Sequence, residues 1–310
     1  MMRGTLLYLS GNKGLRHTAE NLSLAQRAAQ RFVAGTTPQQ AITAVGELNQ
    51  QGMLATLDHL GESVEDEAGA RQATQAYLDL LDLIEAAGLK SNVSLKLTQF
   101  GIDVADDLAY ALVKAVTERA RVYGNFVRID MENHPYTTRT LDIYRRLRDD
   151  GLDNVGVVIQ AYLYRSQDDI RALIPLGARV RLCKGAYLEP SEVAFPEKAD
   201  VDANFIALSK LLLSPEARAA GVYPAFATHD VNMIDAVADY AAQEKIANDA
   251  YEFQMLDGIR RDLQREWVQE GYRVRVYVPY GTEWYPYFMR RLAERPANVA
   301  FILRNIVADR

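Results

Sequence analysis

Eight short stretches rich in apolar and β-branched residues recur along the chain, and most of the segments between them carry helical periodicity. The stretches are MLATLD (53–58), NVSLKL (92–97), FVRID (126–130), VGVVIQ (155–160), RVRLC (179–183), YPAFAT (223–228), YEFQ (251–254) and RVRVYV (273–278). Among the separators, SVEDEAGARQATQAYLDLLDLIEAAG is acidic at its start and closed by Gly88, and VNMIDAVADYAAQEK spaces its apolar residues three and four apart. Strand followed by helix, eight times within 310 residues, predicts a (β/α)8 barrel of the TIM type. A doubly wound sheet would normally show G-x-G-x-x-G after its first strand, and MLATLDHLGES has nothing of the kind. The first fifty residues read as helical: Thr37, Pro38 and Gln40 supply an N-cap, a first-turn proline and a capping-box partner, and Gly52 can end that helix. The expected organisation is a helical segment over 1–50 packed on a barrel over 51–310, forming one domain. Near the end, YFMRRLAE (287–294) predicts a helix with Tyr287, Arg290, Arg291 and Glu294 on one face and Phe288, Met289 and Leu292 on the other.

Composition narrows the class of ligand. A net charge of −6 supplies no broad positive field, so a nucleic acid is not expected as partner and a small molecule is. The single cysteine, Cys183, excludes an internal disulfide and a cysteine-rich metal site, and reads as a buried strand residue. The opening MMRGTLLYLSGNKG has too short an apolar stretch for a signal peptide, and no run of roughly 18 apolar residues occurs. A soluble cytoplasmic protein is expected.

A barrel carries its chemistry at the C-terminal ends of its strands. There the sequence puts Lys96, Asp130 with Glu132, Gln160, Arg181 and Lys184, Thr228 and His229, and Tyr277. Taken singly, each has a structural explanation, since a strand-end Lys or Arg can reach solvent or pair with a neighbouring acid. Converging on one mouth, they would leave charge unpaired unless a ligand met it. Lys96, Arg181, Lys184 and the Arg290/Arg291 pair call for an anion such as carboxylate or phosphate. His59, His134 and His229 come from different strand ends with no H-x-H or H-E-x-x-H, so no metal centre is expected. No G-x-S-x-G nucleophile elbow is present. A Schiff base or pyridoxal site on Lys96 or Lys184 stays open, as does a barrel that merely binds an anionic metabolite.

The segment VRLCKGAY (180–187) resembles the strand-five motif of the proline dehydrogenase family. VSLKLT, RIDME, VIQAYL, ATHD, EFQMLDG and VRVYVPYG followed by YFMRRLAE resemble its other motifs and fall in the same order, covering roughly 50 to 300. The short GTEWYP connection before the last helix departs from the pattern. At 310 residues there is no room for the aldehyde dehydrogenase domain of the bifunctional members, so a monofunctional enzyme of the bacterial type is expected. The resemblance implies FAD-dependent oxidation of L-proline to Δ1-pyrroline-5-carboxylate, with noncovalent FAD and a quinone as electron acceptor; with no spanning helix, any membrane contact would be peripheral. It places Arg181 near the flavin N5 region and Gln160 at the pyrimidine edge. Lys184, Gly185, Ala186, Thr228 and His229 would hold the ribityl and pyrophosphate part, with Met131 as a backbone contact. It gives Lys96, Arg290 and Arg291 to the proline carboxylate and Tyr187, Leu256, Tyr277 and Tyr287 to the pocket wall. Asp130 would orient Lys96 or Arg181, and Glu62 would pair with Arg290 as a gate.

Overall fold

The computed structural model describes residue 29 and residues 31–294. The helical reading of 1–28 and the end of the barrel segment beyond 294 lie outside the described residues. Helix α1 (Pro38–Gln50) begins as its sequence dictates: the Gln40 amide donates to Thr37 Oγ1 at 3.4 Å and the Thr37 amide to Gln40 Oε1 at 3.2 Å. Eight strands follow, β1 (Leu54–His59), β2 (Ser91–Leu95), β3 (Val127–Ile129), β4 (Val155–Gln160), β5 (Arg179–Cys183), β6 (Tyr223–Ala227), β7 (Glu252–Leu256) and β8 (Val274–Tyr280). All pair in parallel in sequence order, and β8 closes on β1. Each of the eight expected stretches is a strand, so the (β/α)8 reading holds.

The helices between strands are α2 (Glu67–Ala86), α3 (Asp106–Val122), α4 (Thr137–Asp149), α5 (Ser166–Leu173), α6 (Lys198–Leu212) with the short α7 (Pro215–Ala219), α8 (Val231–Gln243) and α9 (Arg261–Gln269). Helix α10 (Trp284–Glu294) follows β8 after a three-residue turn, which is how the short GTEWYP connection is accommodated. Alternate strand residues divide between two environments. Outward-facing Leu57, Val93, Ile129, Val157, Val180, Phe226, Phe253 and Val276 are buried in the main hydrophobic cluster beneath the helices. Inward positions are strongly polar, with Thr56, Asp58, Asn92, Ser94, Arg128, Arg181, Glu252 and Gln254 all buried. The apolar core therefore lies between strands and helices, and the barrel's own interior is a hydrogen-bonded polar packing.

Gly156 on β4 shows how tightly its lower part is filled. A Cβ there would come within 2.6 Å of the Phe126 ring and 2.7 Å of Arg128 Nη1. Gly156→Ala should destabilise the chain by about 1–3 kcal/mol through overpacking, lowering Tm by several degrees in a thermal melt. An unchanged Tm would show that the barrel floor yields.

Candidate active site

The buried charges at the C-terminal end of the barrel form one connected network. Lys96, one residue past β2, donates from Nζ to Asp58 Oδ2 at 2.8 Å and stands 4.0 Å from Asp130 Oδ2. Asp130, one residue past β3, accepts on Oδ1 from Arg181 Nη1 and Ser94 Oγ, both at 2.6 Å. The Tyr277 hydroxyl lies 2.7 Å from Asp58 Oδ2 and 2.8 Å from Asp130 Oδ2, its one proton shared between the two carboxylates, and the Arg181 guanidinium lies 5.3 Å from the Tyr277 ring centre. Burial would raise the Asp130 carboxyl, but Arg181 and Lys96 hold it below the usual carboxylate range. Burial likewise opposes the Lys96 ammonium, and Asp58 and Asp130 overcome it, so Lys96 stays charged. Burial beside the two carboxylates pushes the Tyr277 hydroxyl well up, keeping it a donor.

Above this network lies a cavity of about 590 Å³, within the range typical of small-molecule and cofactor sites. Of the site residues singled out in the sequence, its lining includes all but Glu62, Glu132 and Gln160: Lys96, Asp130, Met131, Arg181, Lys184, Gly185, Ala186, Tyr187, Thr228, His229, Leu256, Tyr277, Tyr287, Arg290 and Arg291. Gln160 sits beside it, 2% exposed, and its amide donates to the Glu132 carbonyl at 2.8 Å. Glu62, in the connection after β1, accepts from Arg290 through two contacts of 3.2 Å, so the expected pairing is present across the mouth. Arg290 also lies 5.8 Å from the Tyr187 ring centre, and Arg291 lies 5.1 Å from that of Tyr287. Both arginines are 8% exposed, so the helix face that carries them is turned inward.

The loop after β5 builds another part of the wall. Lys184 Nζ is 2.5 Å from Asp202 and 2.7 Å from Asp230, and Lys198 pairs with the same two carboxylates. Gly185 adopts φ +124°, and a Cβ there would lie 2.6 Å from the Tyr162 ring, so the wall is shaped around a residue with no side chain. Glu189 fastens the loop, accepting from the His134 amide at 2.8 Å and meeting its ring Nδ1 at 2.5 Å. His229 Nε2 accepts from the Leu256 amide at 2.9 Å, which leaves Nδ1 to carry the ring proton. Cys183, expected to be buried, is only half-buried, because it ends β5 and faces the cavity.

A flavin suits this donor set. Arg181 Nη2 is buried at the cavity with no hydrogen-bond partner among the described residues, as an anion-stabilising donor requires. Gly185 permits close backbone approach, and Lys184 and His229 present donors suited to a phosphate-bearing tail. Sequence reasoning missed Asp58, Glu252, Gln254, Asp202 and Asp230. Asp58 was visible as the polar inward position two residues after Thr56, but a single sequence does not reveal that its partner is Lys96.

Comparison with known proteins agrees with this geometry. A family model described as proline dehydrogenase matches residues 41–304. Proline dehydrogenase 1 of Bacillus subtilis (strain 168) is 44% identical over 99% of this chain and 99% of its own length. Proline dehydrogenase of Deinococcus radiodurans is 43% identical over 90% of both. Among solved structures, proline utilization A from Bdellovibrio bacteriovorus inactivated by N-propargylglycine superposes with a TM-score of 0.81 at 28% identity. That match covers 94% of this chain and 36% of the other.

One carboxyl at the mouth should titrate near neutrality. Glu132, buried and accepting from the Thr98 amide at 3.1 Å and its hydroxyl at 2.6 Å, is pushed up to about 7 by burial, against the pull of Thr98 and Lys96. Below about pH 4.5 it is neutral folded or unfolded; between there and pH 7 only the unfolded chain ionises it, so its effect is to lower stability as pH rises. The difference corresponds to about 3 kcal/mol. Glu132→Gln should gain on wild type by up to that amount between pH 5 and pH 8 in denaturant titrations. A pH-independent difference between the two proteins would contradict the assignment.

Proposed function

We propose that this chain, which belongs to the proline dehydrogenase family, oxidises L-proline to Δ1-pyrroline-5-carboxylate by hydride transfer to a noncovalently held FAD. Membership makes it an oxidoreductase that takes proline through the first step of proline catabolism. The observation that carries the finer reading is the convergence of Lys96, Arg290 and Arg291 on the same cavity as Arg181, whose buried Nη2 has no partner among the described residues.

Proline is a small zwitterion, and its oxidation removes a hydride from one ring carbon and a proton from the ring nitrogen. FAD, when bound, supplies the hydride acceptor. Lys96 and Arg291 hold the carboxylate, and Arg290, drawn across the mouth by Glu62, closes over it as a gate. Tyr187, Leu256, Tyr277 and Tyr287 wall the ring and exclude water. Arg181 sets a fixed cation where negative charge develops on the acceptor. Met131, Gln160, Lys184, Gly185, Ala186, Thr228 and His229 hold the cofactor, with Nδ1–H of His229 as donor. Asp130, kept a weak base by Arg181 and Lys96, positions those two cations instead of taking the amine proton. The Schiff-base alternative is disfavoured by the same geometry, because Lys96 is held as an ammonium and Lys184 lies between two carboxylates. The electrons pass on to a quinone. No helix among the described residues is long and apolar enough to cross a membrane, so a cytoplasmic enzyme would meet a membrane quinone at the surface.

If Arg291 holds a desolvated carboxylate, Arg291→Met leaves that charge unpaired at roughly 2–5 kcal/mol, about 30- to several-thousand-fold in kcat/KM for proline. Pyrrolidine, which lacks the carboxylate, should be a poor substrate that loses little further in the variant. Equal losses on both would mean damage to the fold or the cofactor site instead of a lost clamp. Arg181→Met should lower kcat on the order of 10²-fold with a smaller change in KM. Cofactor released by heat should be FAD; recovery of pyridoxal phosphate or FMN would overturn the reading. N-propargylglycine, which inactivates the Bdellovibrio protein, should inactivate this one, with L-proline protecting.

A further inference from the structure

Arg181 reaches Asp130 with one end of its guanidinium, and the other end is held from β7 by Gln254, at the edge of the same cavity. Its Nε donates to Gln254 Oε1 at 2.5 Å. Gln254 Nε2 in turn donates to Glu252 Oε1 at 2.5 Å. Glu252 is gripped by Arg275, Nε to Oε1 at 2.8 Å and Nη2 to Oε2 at 3.1 Å. We propose that Gln254 is a positioning residue for Arg181, with its amide locked in one orientation by the Glu252–Arg275 pair beneath it.

Only one orientation of the Gln254 amide satisfies both neighbours. Turned over, it would set an NH2 group against the Arg181 N–H and an oxygen against a carboxylate, two repulsions in a site where Gln254 is 4% and Glu252 2% exposed. Glu252 remains a carboxylate: burial would raise it, and Arg275 with the Gln254 amide holds it below the ordinary value. Strand register makes the contact possible. Arg181 on β5 pairs with Ala225 on β6, and Ala227 pairs with Gln254 on β7. Two alanines thus leave the guanidinium free to pass across β6. With Nε and Nη1 both engaged, Nη2 is the donor left toward the cavity. The neutral amide matters as much as its position, because a carboxylate at 254 would cancel the charge Arg181 presents.

This rests on the reading of Arg181 as the cation beside a flavin, and the test separates the two. Gln254→Met removes the acceptor at similar volume. The double variant E252Q/Q254E keeps the total charge and a hydrogen bond between 252 and 254, gives up the Arg275 Nε contact on that side of residue 252, and moves the negative charge up against Arg181. FAD-loaded wild type and both variants are compared by flavin midpoint potential in dye-coupled titrations, by kcat and KM for proline, and by Tm with and without FAD. Gln254→Met should lower kcat about tenfold or more, the scale of losing a supporting partner, with KM nearly unchanged. The double variant, compared at a temperature well below its own Tm with FAD bound, should show a flavin about tenfold harder to reduce, about 30 mV for a two-electron couple. Wild-type potential and kcat in the double variant would overturn the proposal, even if Gln254→Met fails to fold. A wild-type protein whose bound flavin proline does not reduce would instead overturn the proposed function.

Discussion

Inside this barrel, Lys96, Arg128, Arg181 and Arg275 face the carboxylates Asp58, Asp130 and Glu252, all of them buried or nearly so. Buried ions are tolerable only when each is paired and hydrogen-bonded, and the pairing here is shared. Asp130 serves Arg181 and lies near Lys96; the Tyr277 hydroxyl bridges it to Asp58. The excess cation shows where it is least compensated: Arg128, short of a carboxylate and repelled by Arg181 and Arg275, is pushed down to about 9, with burial as the main cause. A floor of such charge can be kept only if every member stays in place. Removing one would leave its partner buried and unpaired, so the same constraint that organises the interior makes the mouth rigid.

The rigidity is what the site uses. A carboxylate clamp and a cation for developing charge are effective because they need not reorganise when the ligand arrives. Carboxylates fasten both parts that border the mouth: Glu62 holds Arg290 of α10, and Glu189 of the β5 loop holds His134.

Much of this was legible in the sequence, and for a physical reason. Strands of an all-parallel sheet usually read as unbroken apolar runs because both faces are buried in hydrocarbon. Here FVRID, RVRLC and RVRVYV alternate, since their inward face meets ions and not hydrocarbon. The apolar and β-branched residues of these stretches exposed the strands, and their polar ends gave most of the strand-end residues that line the cavity. The pairings were not legible. That Asp58 on β1 belongs to Lys96 past β2, or Gln254 on β7 to Arg181 on β5, depends on how side chains cross the barrel, and neither residue type signals it. Nor did the sequence show that the Gln160 amide donates to the Glu132 carbonyl. Cys183 read as buried because cysteines usually are, and the end of its strand opens on the cavity.

The central claim is that the barrel mouth presents proline to a flavin that the Arg181 cation prepares for reduction. Anaerobic titration of the FAD-loaded protein with L-proline tests it directly. The account predicts that the flavin absorption band bleaches in step with added proline and that Δ1-pyrroline-5-carboxylate appears in equal amount to the flavin reduced. A band that proline leaves unchanged, while a chemical reductant bleaches the same sample, would contradict it.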